Sequence, residues 1–425
     1  MAGTIKATWE PTFDLGLPRK ARRGCAYDAY LPDRLADREF LLNSETSADV
    51  GDAERDVYRL NERSTALLDS EAVARLLLRA EAVASSKIEG LQIGGRRLLK
   101  AQLARETDDP QQDVTATEIL NNVDAMRWAV ETLTDGRDLE VADLQEVHRR
   151  LVTGTDLESH GGTVREEQNW IGGSNFNPCS AVFVPPPPDR VQDLLEDLCT
   201  FMNQDRLPAI AQAAIAHAQF ETIHPFVDGN GRTGRALVHV VLRRRGLAPR
   251  VVPPISLVLA TWSTDYVNGL MRTRHLGSPD APEAIDALND WVALFASACR
   301  RAVHDAELYE HRVAEIQAAW RERLGTIRRG SAVERVIGLL PGAPIVTVKS
   351  AAMLAGRSVQ AVNDAIPRLV EARVLSPTTL GRRNRAFEAA ELLDAFNALE
   401  RQLASPDGDT NSSPPRRSVP ARTDR

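Results

Sequence analysis

Cysteine is scarce in this chain, and its placement excludes a class of sites. Four cysteines (Cys25, Cys179, Cys199 and Cys299) are spread over 425 residues, with no CxxC pair and no metal-ligand spacing. They are expected to be reduced, mostly buried thiols. No apolar run approaches the ~20 residues that span a bilayer. The N-terminal "MAGTIKATWEPTFDLG" lacks the apolar core of a secretory signal, so no membrane association and a cytoplasmic location are expected. Excess positive charge is also missing. The formal net charge is -7, so binding to nucleic acid or an anionic surface would need a local basic patch. Internal repeats are absent.

What is present is the composition of an ordinary globular protein, 43% hydrophobic and 26% charged. The length calls for about two or three domains. The first ~45 residues read as irregular. Helical spacing of apolar residues then dominates "EAVARLLLRAEAVASSKIEG", "TATEILNNVDAMRWAVETL", "VADLQEVHRRLV" and "PAIAQAAIAHAQFETI", the last expected to be amphipathic. The main strand signal is "NWIGGSNFNPCSAVFVPPPP", two short extended runs around a Gly-Gly turn, closed by four prolines. The expected organisation is an N-terminal helical region over 1–110, a core over 111–300 and a helical connector over 301–330. A C-terminal module over 331–400 and a polar, proline-rich tail over 401–425 follow, the tail too polar to fold.

The chemistry concentrates in "HPFVDGNGRTGR", His224 to Arg235. A helix N-terminus carries about +0.5 charge and four free N–H groups. Arg232 and Arg235 therefore add cations where the helix dipole already repels them, which makes sense if an anion sits there. Gly229, Asn230 and Gly231 let phosphate oxygens approach backbone N–H groups. Asp228 beside bound phosphates suits Mg²⁺. His224, with a reference pKa near ~6.5, can take a proton from an attacking hydroxyl. Together these residues read as a phosphoryl- or nucleotidyl-transfer site.

The stretch resembles the Fic-domain signature, H-P-F-x-(D/E)-G-N-G-R-x-x-R, and matches it at every fixed position. The resemblance covers roughly residues 30–300. It implies a mainly α fold, a Fic-type helical bundle with a β-hairpin flap, that transfers AMP from ATP to a Ser, Thr or Tyr hydroxyl of a protein target. By the same resemblance His224 is the base and Asp228 the Mg²⁺ ligand. The ATP-binding set is Asp228, Gly229, Asn230, Gly231, Arg232, Thr233, Gly234 and Arg235, with Phe226 anchoring the loop. Related kinases carry a lysine where this chain has Gly231. Tyr266 in "WSTDYVNGL" is a candidate wall for the adenine.

Two further stretches bear on the site. The hairpin offers unpaired edges that could capture an extended target segment by strand addition, through Ile171, Gly172, Gly173, Val182, Phe183 and Val184. "SSKIEG" resembles the family's inhibitory motif, (S/T)-x-x-x-E-(G/N), on Ser85, Glu89 and Gly90. Glu89 stands at a helix C-terminus, where the dipole disfavours an anion. That placement has a reason if Glu89 pairs with Arg235 and holds the enzyme inactive.

Residues 331–399 resemble a winged helix-turn-helix of three helices, with Gly356 in the turn, Gln360, Asn363 and Asp364 on the candidate recognition helix "SVQAVNDAIPRL", and Arg382, Arg383 and Arg385 in a basic wing. This raises a rival function, a DNA-binding regulator. Protein docking or homodimerisation through the module is the favoured expectation, because one wing supplies few phosphate contacts. A further alternative is a Fic enzyme acting mainly to remove AMP.

Overall fold

A computed structural model describes residues 1–11, 22–63, 70–106, 113–380 and 384–403. The chain opens with a hairpin, β1 (Gly3–Trp9) and β2 (Cys25–Leu31), paired antiparallel from Gly3 opposite Leu31 to Trp9 opposite Cys25. Helices follow: α1 (Ser44–Arg63), α2 (Ser70–Ile88), α3 (Gly95–Glu106), α4 (Val114–Thr132), α5 (Val141–Val152), α6 (Pro188–Met202), α7 (Ala209–Ile223) and α8 (Asn230–Arg244). Next come α9 (Ile255–Thr261), α10 (Ser263–Thr273) and the 43-residue α11 (Pro282–Leu324). The C-terminal part runs α12 (Ala332–Leu339), β3 (Ile345–Val346), α13 (Val348–Ala355), α14 (Val359–Glu371), β4 (Ser376–Leu380), β5 (Asn384–Glu388) and α15 (Ala390–Leu403). Among the described residues no helix is long and apolar enough to cross a membrane.

The chain divides into two compact units. One comprises 1–55, 124–249 and 264–297; the other comprises 56–123, 250–263 and 298–425. At the heart of the first, α7 is buried on every face, with all fifteen residues from Ala209 to Ile223 covered. It is therefore not amphipathic, as its sequence spacing suggested. Its six alanines admit close neighbours, and among its buried polar side chains Gln212 is matched to Phe201 O, His217 to the Tyr266 hydroxyl and Gln219 to Asp33 O. Trp291 of α11, fully buried, donates from its indole N–H to Ala214 O at 2.8 Å.

The N-terminus departs from expectation. Residues 3–9 and 25–28 alternate half-covered and exposed side chains, the period-two pattern of a strand pair with one wet face, while Ala29 and Tyr30 are both buried. Cys25 at the start of β2 forms a disulfide with Cys179, Cα atoms 5.7 Å apart, so these two cysteines are not the free thiols expected. A sequence separation of 154 residues hid the pairing, and only the fold brings them together. Cys199 and Cys299 are buried and take no part in a disulfide.

In the second unit α2 packs on α9, where Ser256 N donates to the Glu81 carboxylate at 2.7 Å. Asn122 of α4 donates to Ala82 O at 2.8 Å and to Ser86 Oγ at 3.1 Å. The C-terminal part builds a three-stranded antiparallel sheet in the order β3-β5-β4 beside α12, α13 and α14. It rests on the α2–α3 pair: Arg79 donates to Gly342 O at 3.2 Å, and Leu99 and Leu103 join a core cluster with Ile345, Ala386 and Leu393. Gly356, left-handed at φ 59°, ends α13, and Ser358 caps α14. Gln360 donates to Asp364 within its own helix at 2.7 Å, and Arg368 donates to Leu324 O and Thr326 O. Asn363 is exposed, as are Met353 (71%), Leu354 and Val359 around the turn. Arg385 stacks over Phe387; Arg382 and Arg383 lie outside the described residues, as does most of the expected polar tail.

Candidate functional site

The site lies in the first unit, where α7 ends and α8 begins. His224 closes α7 in a left-handed conformation, φ 50° and ψ 60°, and its N–H bonds Phe220 O at 2.9 Å. A non-glycine residue there, just before a proline, costs about 1–3 kcal/mol unless its surroundings hold it. The conformation swings His224 out of the helix, leaving its side chain 20% exposed. Its Nδ1 is 3.9 Å from an Oε of the buried Glu221, one turn back on α7. Phe226 is fully buried and locks the loop.

Asn230 fixes the other side of the turn. Its side chain accepts from Phe226 N at 2.9 Å and donates to Phe226 O at 2.8 Å. The expected ATP contact of this residue is thus left to its backbone, since the amide is spent closing the loop. Gly229 caps α8 with φ 75°, and a Cβ there would stand 2.9 Å from Leu151 Cδ2. Only glycine satisfies both the dihedral and the space. Gly234 likewise serves packing, because its missing Cβ would meet Phe220 at 2.9 Å and His217 at 3.1 Å.

The first turn of α8 contains no acid, while Arg232 (4% exposed) and Arg235 (2%) are both buried. Thr233 Oγ1 is also buried, with no hydrogen-bond partner among the described residues. Cations and an unmatched donor at a helix N-terminus are the fittings of an anion cradle. Asp228 is exposed beside it and accepts from Gly229 N at 2.5 Å through one oxygen. Among the described residues no three His, Cys, Asp or Glu groups cluster as a metal cage. A single carboxylate with phosphates and water is nonetheless a common Mg²⁺ environment, so the donor set fits that ion.

Tyr266 sits differently from the expected adenine wall. It is 3% exposed, its hydroxyl is 2.8 Å from His217 Nε2 and 3.5 Å from Arg235 Nη1, and its ring lies near Trp291. It is a core residue behind Arg235. Burial pushes the His217 pKa down to about 3, which keeps this core imidazole neutral.

The flap is shorter than two extended runs, a single antiparallel bridge of Ile171 with Phe183. Gly172 and Gly173 turn it with φ 73° and 77°. Phe183 and Val184 face inward: Phe183 packs on Tyr30 and carries the Arg274 guanidinium 3.6 Å over its ring, and Val184 O accepts from Tyr30 N at 2.9 Å. The polyproline side of the flap is thus met by β2. Gly172, Gly173 and Val182 (68%) are exposed, with Ile171 half-covered.

In the second unit Ser85 is fully buried in α2, and Glu89 is exposed just past its last residue, Ile88. Gly90, φ 87°, reverses the chain, with Leu91 N bonded to Ser86 O at 3.0 Å.

Sequence reasoning passed over two residues that touch the loop. His148, on α5, donates from Nε2 to Asp228 O at 3.0 Å and stacks on Phe226; its signal was a polar residue on the apolar stripe of Leu144, Val147 and Leu151. Arg165, in "TVREEQNW", contacts the His224 carbonyl at 2.9 Å, and a loop arginine gives no periodicity by which to find it.

Residues 138–242 match the Fic/DOC family model, and residues 47–131 match that of the Fic/DOC family N-terminal region. The Protein adenylyltransferase Fic of Drosophila virilis is 31% identical over 227 residues, covering 51% of this chain and 45% of the relative. That of Drosophila melanogaster is 30% identical over 233 residues, covering 51% and 44%. The chain thus spans less than half the length of these curated relatives. In fold it is similar to a Fic family protein from Desulfovibrio desulfuricans G20, with a TM-score of 0.50 at 20% identity over 82% of this chain and 97% of that one. The similarity to the Fic/DOC family is thus carried by residues 47–131 and 138–242, the second of which holds His224 to Arg235.

Proposed function

We propose that this chain is a protein adenylyltransferase that moves AMP from ATP to a Ser, Thr or Tyr hydroxyl of a protein target. The observation that carries the reading is the N-terminus of α8, with Arg232 and Arg235 buried in its first turns, no acid among them, and His224 just upstream. The triphosphate would lie on the free N–H groups of α8, with Arg232 and Arg235 supplying charge. The target hydroxyl oxygen attacks the α-phosphorus while His224 accepts its proton, and the bond to the bridging oxygen breaks to release pyrophosphate. Asp228 would hold Mg²⁺, which when bound neutralises phosphate charge. Exposed Val182 and the two glycines beside Ile171 support the flap as the place where the target segment lies. Glu89 is proposed to restrain the enzyme by pairing with Arg235.

For the C-terminal part we favour protein docking over base reading. Gln360 is engaged by Asp364 and Arg368 by backbone carbonyls, while Met353, Leu354 and Val359 offer apolar surface.

The test is intact-mass analysis after incubation with ATP and Mg²⁺, alone and with a cell lysate. The parent should gain one AMP or deliver it to a lysate protein. His224→Ala should still bind ATP but lose transfer by a factor of ~10² or more. Undiminished transfer by a folded His224→Ala protein would remove the histidine from the chemistry.

A further inference from the structure

We propose that Arg165, with Asn169 beside it, is a positioning residue that holds the base His224 in its left-handed conformation; this rests on the reading of His224 as the base. Arg165 is 4% exposed, yet the hydrogen bonds of its guanidinium go to carbonyl oxygens rather than to a carboxylate. Nε donates to His224 O at 2.9 Å, Nη2 to Pro186 O at 2.6 Å and to Ile223 O at 3.3 Å, and Nη1 to Glu167 O at 3.2 Å. The Arg165 backbone N–H adds a bond to Pro225 O at 2.9 Å. Asn169 Nδ2 donates to His224 O at 3.1 Å and to Phe226 O at 3.2 Å. The carbonyls of four consecutive loop residues, 223 to 226, are therefore gripped from one side.

The grip has a reason in the backbone it holds. His224 is one of two non-glycine residues with positive φ among the described residues, and although histidine enters that region more readily than most side chains, its Cβ still makes the conformation costly. Released, residue 224 would relax toward extended backbone, and its Cβ would turn the imidazole away from the line between target and phosphate. Burial of a guanidinium is costly, and here it lowers the Arg165 pKa to about 10, so the side chain still enters the loop as a cation at neutral pH. A planar fork of five N–H groups can reach carbonyls in several directions at once; an ammonium cannot. The gripped oxygens belong to residues before the phosphate cradle, so the effect should fall on the base and not on ATP.

The experiment uses the full chain with Arg165→Lys and Asn169→Ala, and reads AMP transfer, ATP binding, and carbethoxylation of His224 by diethyl pyrocarbonate followed by peptide mass. Expected are a kcat lowered ~10-fold or more with KM for ATP within ~3-fold, since base misplacement costs turnover and not ground-state binding. Guanidinium ion added to Arg165→Gly should recover at least ~3-fold of the lost rate, which a merely structural lesion would not show. Carbethoxylation of the 20%-exposed imidazole should quicken in both variants. Unchanged kcat, or a raised KM with kcat intact, or an unchanged carbethoxylation rate in both variants would overturn the proposal. If neither the parent nor its Glu89→Gly variant transfers AMP, the functional reading fails, and the carbethoxylation rates alone decide whether the clamp exists.

Discussion

His148 and Phe226 lie face to face, with ring centroids 3.9 Å apart and planes 4° apart. One imidazole thereby ties α5 to the loop of the site. Gly162 N donates to its Nδ1 at 3.0 Å, so Nε2 carries the proton and donates to Asp228 O at 3.0 Å. Both nitrogens are used only while the ring is neutral, and burial lowers its pKa to about 4.

A pH dependence follows with a definite sign. The folded pKa lies below the unfolded value of ~6.5, so the unfolded chain binds the extra proton between pH ~6.5 and ~4. The stability supplied by neutral His148 is present above pH ~6.5 and lost as pH falls through that window. Urea unfolding of the parent and His148→Asn should show the parent's advantage shrinking by about 2 kcal/mol from pH 7 to pH 5. An advantage that stays constant would mean that His148 is not held neutral.

The residues of the proposed cradle stood out in the sequence because they break a local rule: arginines at a helix start have no reason within their own helix. The clamp was not legible. Arg165 and Asn169 act on residues more than fifty positions away through carbonyls that every residue possesses, and nothing local marks them. The surroundings of Tyr266 were not legible either, because an aromatic looks alike from the sequence whatever it packs on, here His217 and Trp291. The β1–β2 hairpin went unread because its alternation rests on small or polar residues such as Thr4, Thr8 and Ala7, which carry little hydrophobic contrast.

Cys25 and Cys179 should be countable. Alkylation of the unfolded protein should label Cys199 and Cys299 before reduction, and all four cysteines after it. A cross-link spanning 154 residues restricts the unfolded chain by up to ~5 kcal/mol in the chain-entropy account. Dithiothreitol should therefore lower the thermal midpoint of the parent and leave Cys25→Ser unmoved. Equal shifts in both proteins would contradict the pairing.

Asp228 bears on the metal. Its carboxylate is exposed, with one oxygen turned to Gly229 N. Asp228→Asn replaces a hard anionic donor with an amide and should raise the Mg²⁺ concentration for half-maximal transfer by ~10-fold or more. A Mg²⁺ titration that overlays the parent's would leave Asp228 only its turn-forming role.

Glu89→Gly should raise activity, against the usual direction of a substitution. Glu89 stands exposed at the C-terminal end of α2, where the helix dipole disfavours a carboxylate, and Gly90 turns the chain immediately after it. Arg235 is 2% exposed, three residues after Arg232 at the opposite kind of helix end. If the two pair, Glu89 occupies one of the two arginines proposed to supply charge to the triphosphate and brings a negative charge toward a ligand that carries several. ATP would then bind with its phosphates displaced, and ~1 Å of displacement can cost ~10²-fold in rate. Removing the carboxylate frees the arginine at little structural cost, since glycine is tolerated at a helix C-terminus. Self-modification with labelled ATP should rise by ~10-fold or more. Arg235→Lys in the same chain keeps a cation but loses the fork, and should cancel most of the gain while ATP binding and the thermal midpoint report that the protein is folded. Equal activity of Glu89→Gly and the parent across a range of ATP concentrations would reduce "SSKIEG" to an ordinary helix end.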